Sequence, residues 1–414
     1  MNNYKKIILN NGIPLYLYSD KSLKQVMVNY IIKYGSSGRW FKFELNGKKY
    51  NVLPGYAHYL EHLLGEHSKN GNVFSRFDDR HYNANAYTSS NHTSFHFCGV
   101  NDIKESIKEL IEAVDDPVFD DKAVNKCRHA IEEEAASNMD EVDMVAVNMV
   151  EKNLFADFDE YDKTLSSIGS RATTRKINTE TLYTCYDAFY TDDNKVLAIA
   201  GNIDEKKLVD YLNYIYSNIK EHKRKVVLPQ YNYDPIRKRY EEVRANIEQD
   251  IHSMAIKFKI LDDFSKQDLY FSIIFLMDYL LSYENDFYLY LRNKGLIDVL
   301  QYSYSKWEGD YLSFIHSFFS NKPEDYYGEL LRKLNKRDLS KEEFELIKKG
   351  LISEEVRDLD DKYYSIGDFG NRMSYTEDYS RVDSFKRFNY ERFREVLESL
   401  DFDKYTFGRV RKLK

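Results

Sequence analysis

The residues best suited to chemistry are two histidines and a glutamate in the pentapeptide His58-Tyr59-Leu60-Glu61-His62. On a helix, His58 and His62 are four residues apart and share one face, so both imidazoles can reach one metal ion. Glu61 lies beside them and can hold a water molecule without ligating the metal. The order of the three residues is the inverse of the more familiar zinc-protease helix motif. The spacing therefore predicts a metal site on a helix.

The alternative is a pair of histidines on an exposed helix face that binds nothing. The apolar residues around the motif, Tyr59, Leu60, Leu63 and Leu64, indicate that the helix is packed. Histidines within a packed helix need polar partners, and a metal supplies one.

A zinc site needs at least a third protein ligand, and three adjacent carboxylates lie on a second predicted helix. A buried stripe at spacings of three and four includes Ala130, Ile131 and Ala135 together with Glu134. Glu132 and Glu133 fall outside this stripe and are typical of an ordinary acidic helix face. Helical phase therefore favours Glu134 as the third ligand, because an inward carboxylate needs a cation.

The elements that must position these residues alternate between strands and helices in both halves of the chain. The motif helix is expected from Pro54 to about Glu66, and the helix of Glu134 within a stretch from Asp121 to about Phe155. A hairpin is expected around Asn11-Gly12, and a bent strand or strand pair in the segment NANAYTSSNHTSFHFCG. A charged stretch with two prolines is read as a linker. We therefore expect an α+β protein of two similar domains, with residues 1–220 and 237–414 as the domains and 221–236 as the linker.

Composition excludes several classes of protein. With 60 basic and 68 acidic residues the net charge is −8, which disfavours a dedicated nucleic-acid binder. The longest apolar run, Tyr270–Tyr283, is interrupted by Asp278 and is too short to span a bilayer, and the N-terminus lacks a signal-peptide core. Three widely spaced cysteines are too few for a disulfide framework. We expect a cytoplasmic globular protein without a membrane span.

Three segments together resemble one enzyme family. PGYAHYLEHLLGEHSKNGNVF, NANAYTSSNHTSFHF and VNKCRHAIEEEA are similar to the pitrilysin/insulinase family of zinc peptidases, which includes the mitochondrial processing peptidase. The similarity spans most of the first half and is closest to small bacterial processing-peptidase-like members. In the second half only FYLYLRNKGLID resembles the family.

The resemblance implies a zinc endopeptidase in which Zn²⁺ is held by His58, His62 and Glu134, with Glu61 as general base. It implies two homologous domains, each a mostly antiparallel sheet packed with helices, the second inactive, together forming half of a clamshell. The NANAYTSS segment resembles the family's substrate-binding edge strand, so Asn85, Ala86 and Thr88 are expected nearest to an extended peptide substrate. An ordinary sheet strand is the alternative for this segment.

One position departs from the family pattern. Seven residues before the metal-binding glutamate the family usually has another glutamate, and here the residue is Cys127. Loss of that supporting carboxylate is expected to lower metal affinity or activity. A small residue that packs on the helix is the simplest interpretation of Cys127, and direct zinc ligation is the alternative.

The family encloses its substrate between two related halves, and the chain supplies one of them. The family's other half contributes an arginine and a tyrosine near the zinc. Arg292 is present, but Tyr302 and Tyr304 come late for this pattern. We therefore expect a heterodimer with a related subunit, with a homodimer as the alternative, and processing of a ribosomally made precursor or leader peptide. The rival functions are a recognition or assembly subunit with weak catalysis and a binding protein with a structural zinc.

Overall fold

The computed structural model describes residues 4–69, 71–100, 103–139, 142–156, 169–298, 300–360 and 381–413. Within these ranges the strands are β1 (Tyr4–Ile8), β2 (Pro14–Ser19), β3 (Gln25–Ile32), β4 (Lys42–Leu45), β5 (Lys48–Asn51), β6 (Asn83–Thr88), β7 (Thr93–Val100), β8 (Lys195–Gly201), β9 (Val226–Val227), β10 (Tyr240–Ala245), β11 (Ile251–Lys259), β12 (Leu300–Glu308), β13 (Tyr311–Phe319) and β14 (Tyr405–Lys412).

The helices are α1 (Tyr56–Glu66), α2 (Val73–Asp79), α3 (Lys104–Asp115), α4 (Asp121–Met139), α5 (Val142–Leu154), α6 (Arg171–Thr174), α7 (Thr179–Phe189), α8 (Glu205–Ser217), α9 (Lys266–Leu281), α10 (Asp286–Asn293), α11 (Pro323–Lys336) and α12 (Lys341–Asp360), followed by Arg381–Arg387 and Tyr390–Ser399. No helix in the described ranges is long and apolar enough to cross a bilayer.

The chain divides into two compact units. The first contains residues 1–137, 166–230 and 358–379, and the second contains 138–165, 231–357 and 380–414. Both combine a mixed, mainly antiparallel sheet with helices, so the predicted α+β class is confirmed.

The first unit is built on a six-stranded sheet with the order β1-β2-β8-β3-β7-β6. All neighbouring strands are antiparallel except β2 and β8. Helix α1 belongs to the core of this unit, because Tyr59, Leu60, Leu63 and Leu64 are almost completely buried. These are the apolar residues that flank the histidine motif, and their burial fixes the helix that carries it.

The second unit repeats the strand order of the first. Its five-stranded sheet runs β10-β14-β11-β13-β12, and the only parallel pair among these neighbours is β10 with β14. If β1 is left out, the first sheet runs β2-β8-β3-β7-β6. In both sheets the strands, numbered by their position along the chain, then follow the order first, fifth, second, fourth, third. The shared order supports the predicted duplication, which sequence identity between the halves did not reveal.

The observed units differ from the sequence-based ranges in two places. Helix α5 was included in the predicted domain 1–220, but Val147, Val150 and Leu154 pack with Ala255 and Ile315 of the second sheet. The predicted linker is also partly structured, because Val226 and Val227 pair with Leu45 and Glu44 in a small sheet of the first unit. Chain connectivity, which placed α5 beside α4 in sequence, did not determine its packing.

Local patterns located most elements to within a few residues. The hairpin of β1 and β2, the strand pair β6 and β7, and helix α1 were all predicted. Helix α1 begins at Tyr56, two residues after the expected Pro54, because Gly55 adopts a left-handed φ of 101°. Helix α2 and the hairpin of β4 and β5 were missed.

Candidate metal centre

The two motif histidines lie on the same face of α1, as their spacing predicts. Their rings are 4.7 Å apart between centroids and meet at 79°. His58 is buried, and its Nδ1 has no hydrogen-bond partner among the described residues. The ring nitrogen that faces the other candidate ligands is Nε2, so a metal at this site would bind Nε2 and not the unpaired Nδ1.

Glu134 reaches both imidazoles from α4. Its Oε2 is 3.6 Å from Nε2 of His58 and 3.4 Å from Nε2 of His62. Ligand atoms bound at about 2.0–2.2 Å to a tetrahedral zinc are separated by about 3.3–3.6 Å. The three atoms therefore have the types that zinc prefers, and both nitrogen–oxygen separations match those between ligands of a zinc ion.

A buried hydrogen bond joins the two helices that carry these ligands. The Tyr59 hydroxyl on α1 donates to the Val124 carbonyl of α4 at 2.5 Å. Tyr59 is fully buried, and Val124 is in the same apolar core. This contact fixes α4 against α1 ten residues before Glu134, and so helps to set the position of the third ligand.

The structure corrects part of the predicted phase of α4. Ile131 and Ala135 are buried as expected, but Ala130 is exposed. Glu133 is exposed, whereas the side chain of Glu132 is only 13% exposed and pairs with Arg175 at 3.1 Å and Arg171 at 3.6 Å. Glu132 was expected on an ordinary acidic face, and α6 and the residue after it cover that face instead.

Glu66 is a site residue that sequence reasoning missed. Its Oε1 is 3.0 Å from Nδ1 of His62, which leaves Nε2 of that ring facing Glu134. A carboxylate on the far nitrogen orients a ligating imidazole and raises its basicity. The signal was present in the sequence, because His62 and Glu66 are four residues apart on one helix.

The surroundings shift the pKa values of the two histidines in opposite directions. Burial and the neighbouring His62 lower the pKa of His58, which favours a neutral imidazole. Burial also disfavours protonation of His62, but hydrogen bonds with Glu134 and Glu66 outweigh it and raise its pKa to about 10. The hydrogen bond with His62 lowers the pKa of Glu134. A metal cation bound to His62 and Glu134 would replace the proton on His62.

Glu61 lies beside the histidines and is held by another element. It is 7% exposed, and one of its oxygens is within 4.8 Å of ligand atoms of both His58 and His62. Thr88 at the end of β6 donates to Oε2 of Glu61 at 2.6 Å. Burial raises the pKa of Glu61 to about 7, and the Thr88 hydrogen bond offsets part of this increase. The carboxyl group can therefore accept and release a proton near neutral pH.

The predicted substrate residues lie on β6, which is the edge strand of the first sheet. Asn85 is exposed and stands opposite His96 of β7, and Thr88 stands opposite Thr93. The Ala86 amide donates to Oδ1 of its neighbour Asn85 at 2.9 Å. Of the three residues, Thr88 directly contacts the histidine-motif helix through Glu61.

The turn after β6 is held in place by a close backbone approach. A Cβ atom at Gly35 would overlap the Ser89 carbonyl oxygen and the Asn91 nitrogen. The next residue, Ser36, donates its amide to the Ser89 carbonyl at 2.9 Å. Only glycine permits this approach, which fixes the end of β6 where Thr88 meets Glu61.

Cys127 occupies a buried position on α4, and its side chain is 2% exposed. Its ligand atom lies within 4.8 Å of those of Glu66 and His67. All three cysteines, Cys98, Cys127 and Cys185, are free.

The arginine and the tyrosines that were compared with the family's substrate-contacting pair lie in the second unit. Arg292 is on α10, and Tyr302 and Tyr304 are on β12. The Tyr304 hydroxyl donates to Glu151 at 2.7 Å.

Two family models together match most of the chain. A family model for insulinase, peptidase family M16, matches residues 48–168, and a model for the peptidase M16 inactive domain matches residues 176–351. The chain is 27% identical over 299 residues to YmfH of Bacillus subtilis, an uncharacterized zinc protease, covering 70% of this chain and 68% of YmfH.

Two solved structures share the fold. A protein of Alicyclobacillus acidocaldarius described as an M16-like peptidase superposes with a TM-score of 0.86 at 20% identity, over 99% of this chain and 98% of that one. The periplasmic protease PqqL of Escherichia coli has a TM-score of 0.70 at 16% identity, over 99% of this chain but 48% of PqqL. The chain therefore matches about half of the PqqL fold.

Proposed function

Because the chain belongs to the pitrilysin/insulinase family of zinc peptidases, we propose that it is a zinc-dependent endopeptidase that cleaves peptides bound in extended conformation. The observation that carries the proposal is the convergence of His58, His62 and Glu134 on one point, with Glu61 beside them. Bound there, zinc would act as a Lewis acid toward the scissile carbonyl and its attacking water.

Glu61 is the proposed general base. Its carboxylate takes a proton from the attacking water and later delivers that proton to the leaving amine. Thr88 holds Oε2 of Glu61 through a hydrogen bond, which leaves Oε1 for the water. His62 is held by Glu66 and Glu134 from opposite sides, so its ring is fixed before substrate arrives.

The peptide is proposed to bind along β6. An extended segment can add to an edge strand through main-chain hydrogen bonds, with little dependence on its side chains. The Ala86 amide, now bonded to the Asn85 side chain, is the donor that a substrate carbonyl would take over. Thr88 at the end of the same strand would place the bound backbone next to Glu61.

The test is hydrolysis of quenched fluorescent peptides by the full chain after metal removal and after readdition of zinc. We expect activity to disappear on chelation and to return with about one zinc per chain. Substrates with single N-methylated amides provide the matched control for extended binding. We expect some of them to be cleaved at least about tenfold more slowly, because each methyl group removes a main-chain donor. Cleavage that survives complete metal removal would contradict the proposal.

A recognition or assembly subunit with weak catalysis is the second candidate. Cys127 favours it, because this thiol stands where the family usually has a supporting carboxylate. Glu66 argues against it, since this carboxylate contacts His62 from α1 and can fulfil the supporting role. Stoichiometric zinc without measurable cleavage, in the presence of any related subunit, would favour the second candidate.

We further propose that the active form is a heterodimer with a related subunit, with a homodimer as the alternative. The match to 48% of PqqL supports a two-half arrangement, and Tyr304 is already bonded to Glu151 within the second unit.

The biological substrate we propose is a ribosomally made precursor or leader peptide. The test is whether the protein cleaves precursor peptides whose genes lie next to its own gene.

A further inference from the structure

A second group of metal-ligating side chains lies at the C-terminal end of α1. The Glu66 carboxylate, the His67 imidazole and the Cys127 thiol each offer one ligand atom, and these atoms lie within 4.8 Å of one another. We propose that these three residues form a second metal site, which binds zinc or a similarly thiophilic divalent cation. The proposal concerns metal binding alone and does not depend on peptidase activity.

The three ligands come from two helices that are already joined. Glu66 is the last residue of α1, and His67 follows it as the C-cap, with its amide bonded to the Leu63 carbonyl. Cys127 lies on α4, three residues after Val124, whose carbonyl accepts the Tyr59 hydrogen bond. Both backbones are therefore fixed where the side chains meet, which limits the rearrangement that metal binding requires.

An independent observation points to a missing ligand at this position. Nε2 of His67 is buried and has no hydrogen-bond partner among the described residues. A buried nitrogen without a partner is destabilising, whereas a cation would use its lone pair. The backbone amide of His67 caps the helix, so the imidazole is not needed for that role.

The chemistry of the ligand set selects the metal. A thiolate, an imidazole and a carboxylate suit zinc and similar borderline cations and exclude a magnesium or calcium site. Zinc bonds of about 2.0–2.3 Å require ligand atoms about 3.3–3.8 Å apart. Ligand atoms that are 4.8 Å apart would therefore have to approach each other by about 1 Å on metal binding. The thiol proton would be released to solvent on binding.

The charges of the proposed ligands and of the residues around them suit a divalent cation. Glu66 and the Cys127 thiolate together neutralise a divalent cation. Asp120 adds negative charge near His67, and Lys126 adds positive charge near both His67 and Cys127. The group is coupled to the first site through Glu66, which also contacts His62. The predicted ligands of the first site are His58, His62 and Glu134, and Cys127 was considered there only as an alternative.

Cadmium titration of the metal-stripped full chain tests the proposal. We expect two equivalents to bind and the near-ultraviolet thiolate-to-cadmium band to appear. Cys127→Ser should bind one equivalent without the band. Cys98→Ser, at another buried free cysteine, is the matched control and should behave as wild type. A second variant, His67→Gln, should weaken the thiolate-linked equivalent at least about tenfold, and circular dichroism should confirm that each variant is folded.

His58→Ala distinguishes the two sites. We expect it to lose the first equivalent and to keep the thiolate band. Loss of the band in His58→Ala would make Cys127 a ligand of the first site and overturn the proposal. A band that persists in Cys127→Ser, unchanged affinity in folded His67→Gln, or a single equivalent in the wild-type chain would also overturn it.

Discussion

At the scale of single residues, Thr88 controls the proton affinity of Glu61. Its hydroxyl donates to the carboxylate and stabilises the ionised form, which opposes the effect of burial on the pKa. A general base must be ionised, so activity should be present above the pKa of Glu61 and lost as the pH falls through it. Thr88 thereby extends activity toward acidic pH.

Thr88→Val keeps the shape of the side chain and removes the donor. The acidic limb of the kcat/KM profile should move to higher pH by about 0.4–1.1 units, the equivalent of a hydrogen bond worth about 0.5–1.5 kcal/mol. Thr184→Val on α7, whose hydroxyl donates to the Glu180 carbonyl one turn earlier in the same helix, is the control. An unchanged acidic limb in Thr88→Val would mean that this bond does not tune the base.

The residues of the site were predictable to the extent that they are local. Helical spacing identified His58, Glu61 and His62, and the same rule would have found Glu66. The contact between Thr88 and Glu61 joins a strand to a helix 27 residues away, and no local pattern encodes it. The resemblance placed Thr88 near the substrate, but only the structure shows its bond to the base.

At the scale of elements, the phase of α4 decides which carboxylate faces the two histidines of the proposed metal site. Glu134 faces both histidines, Glu133 is exposed, and Glu132 pairs with arginines. Glu134→Gln should lower zinc content well below one per chain, whereas Glu133→Gln should keep it. Elemental analysis after dialysis measures both. Zinc loss in Glu133→Gln alone would show that the helix is rotated by one residue.

The hydrogen bond between Tyr59 and Val124 should stabilise the contact of α1 with α4. Tyr59→Phe removes this bond while the Val124 carbonyl keeps its partner within α4, so the free energy of unfolding should fall by about 0.5–1.5 kcal/mol. Urea unfolding measures this loss. Tyr214→Phe, at a 65% exposed tyrosine on α8, should stay within about 0.5 kcal/mol of wild type. Equal midpoints for the two variants would show that the bond contributes nothing.

Periodicity and turn residues predicted most elements, but not which elements pack together. Helix α5 follows α4 in the chain and yet packs on the second sheet through Val147 and Val150. The wrong prediction that Ala130 is buried has the same cause, because the sequence of one helix turn does not reveal which other elements cover it. Strand order likewise depends on long-range pairing, as between β2 and β8.

At the scale of the whole molecule, we expect full activity to require a second, related chain. The chain alone should cleave peptides orders of magnitude more slowly than the mixture, because the partner would supply groups that stabilise charge on the substrate carbonyl. Light scattering at assay concentration, with cleavage assayed alone and after mixing, measures this. Full activity from a monomer would contradict the pairing, and full activity from a homodimer would remove the need for a different partner.

The rate of peptide hydrolysis by Glu61→Gln, with zinc content measured on the same sample, tests the central claim most directly. The variant keeps His58, His62 and Glu134, so about one zinc per chain should remain. Glutamine cannot accept the proton, so the rate should fall at least about 10²-fold, in the assay form that gives wild-type activity. A Glu61→Gln protein with bound zinc and wild-type activity would contradict the account.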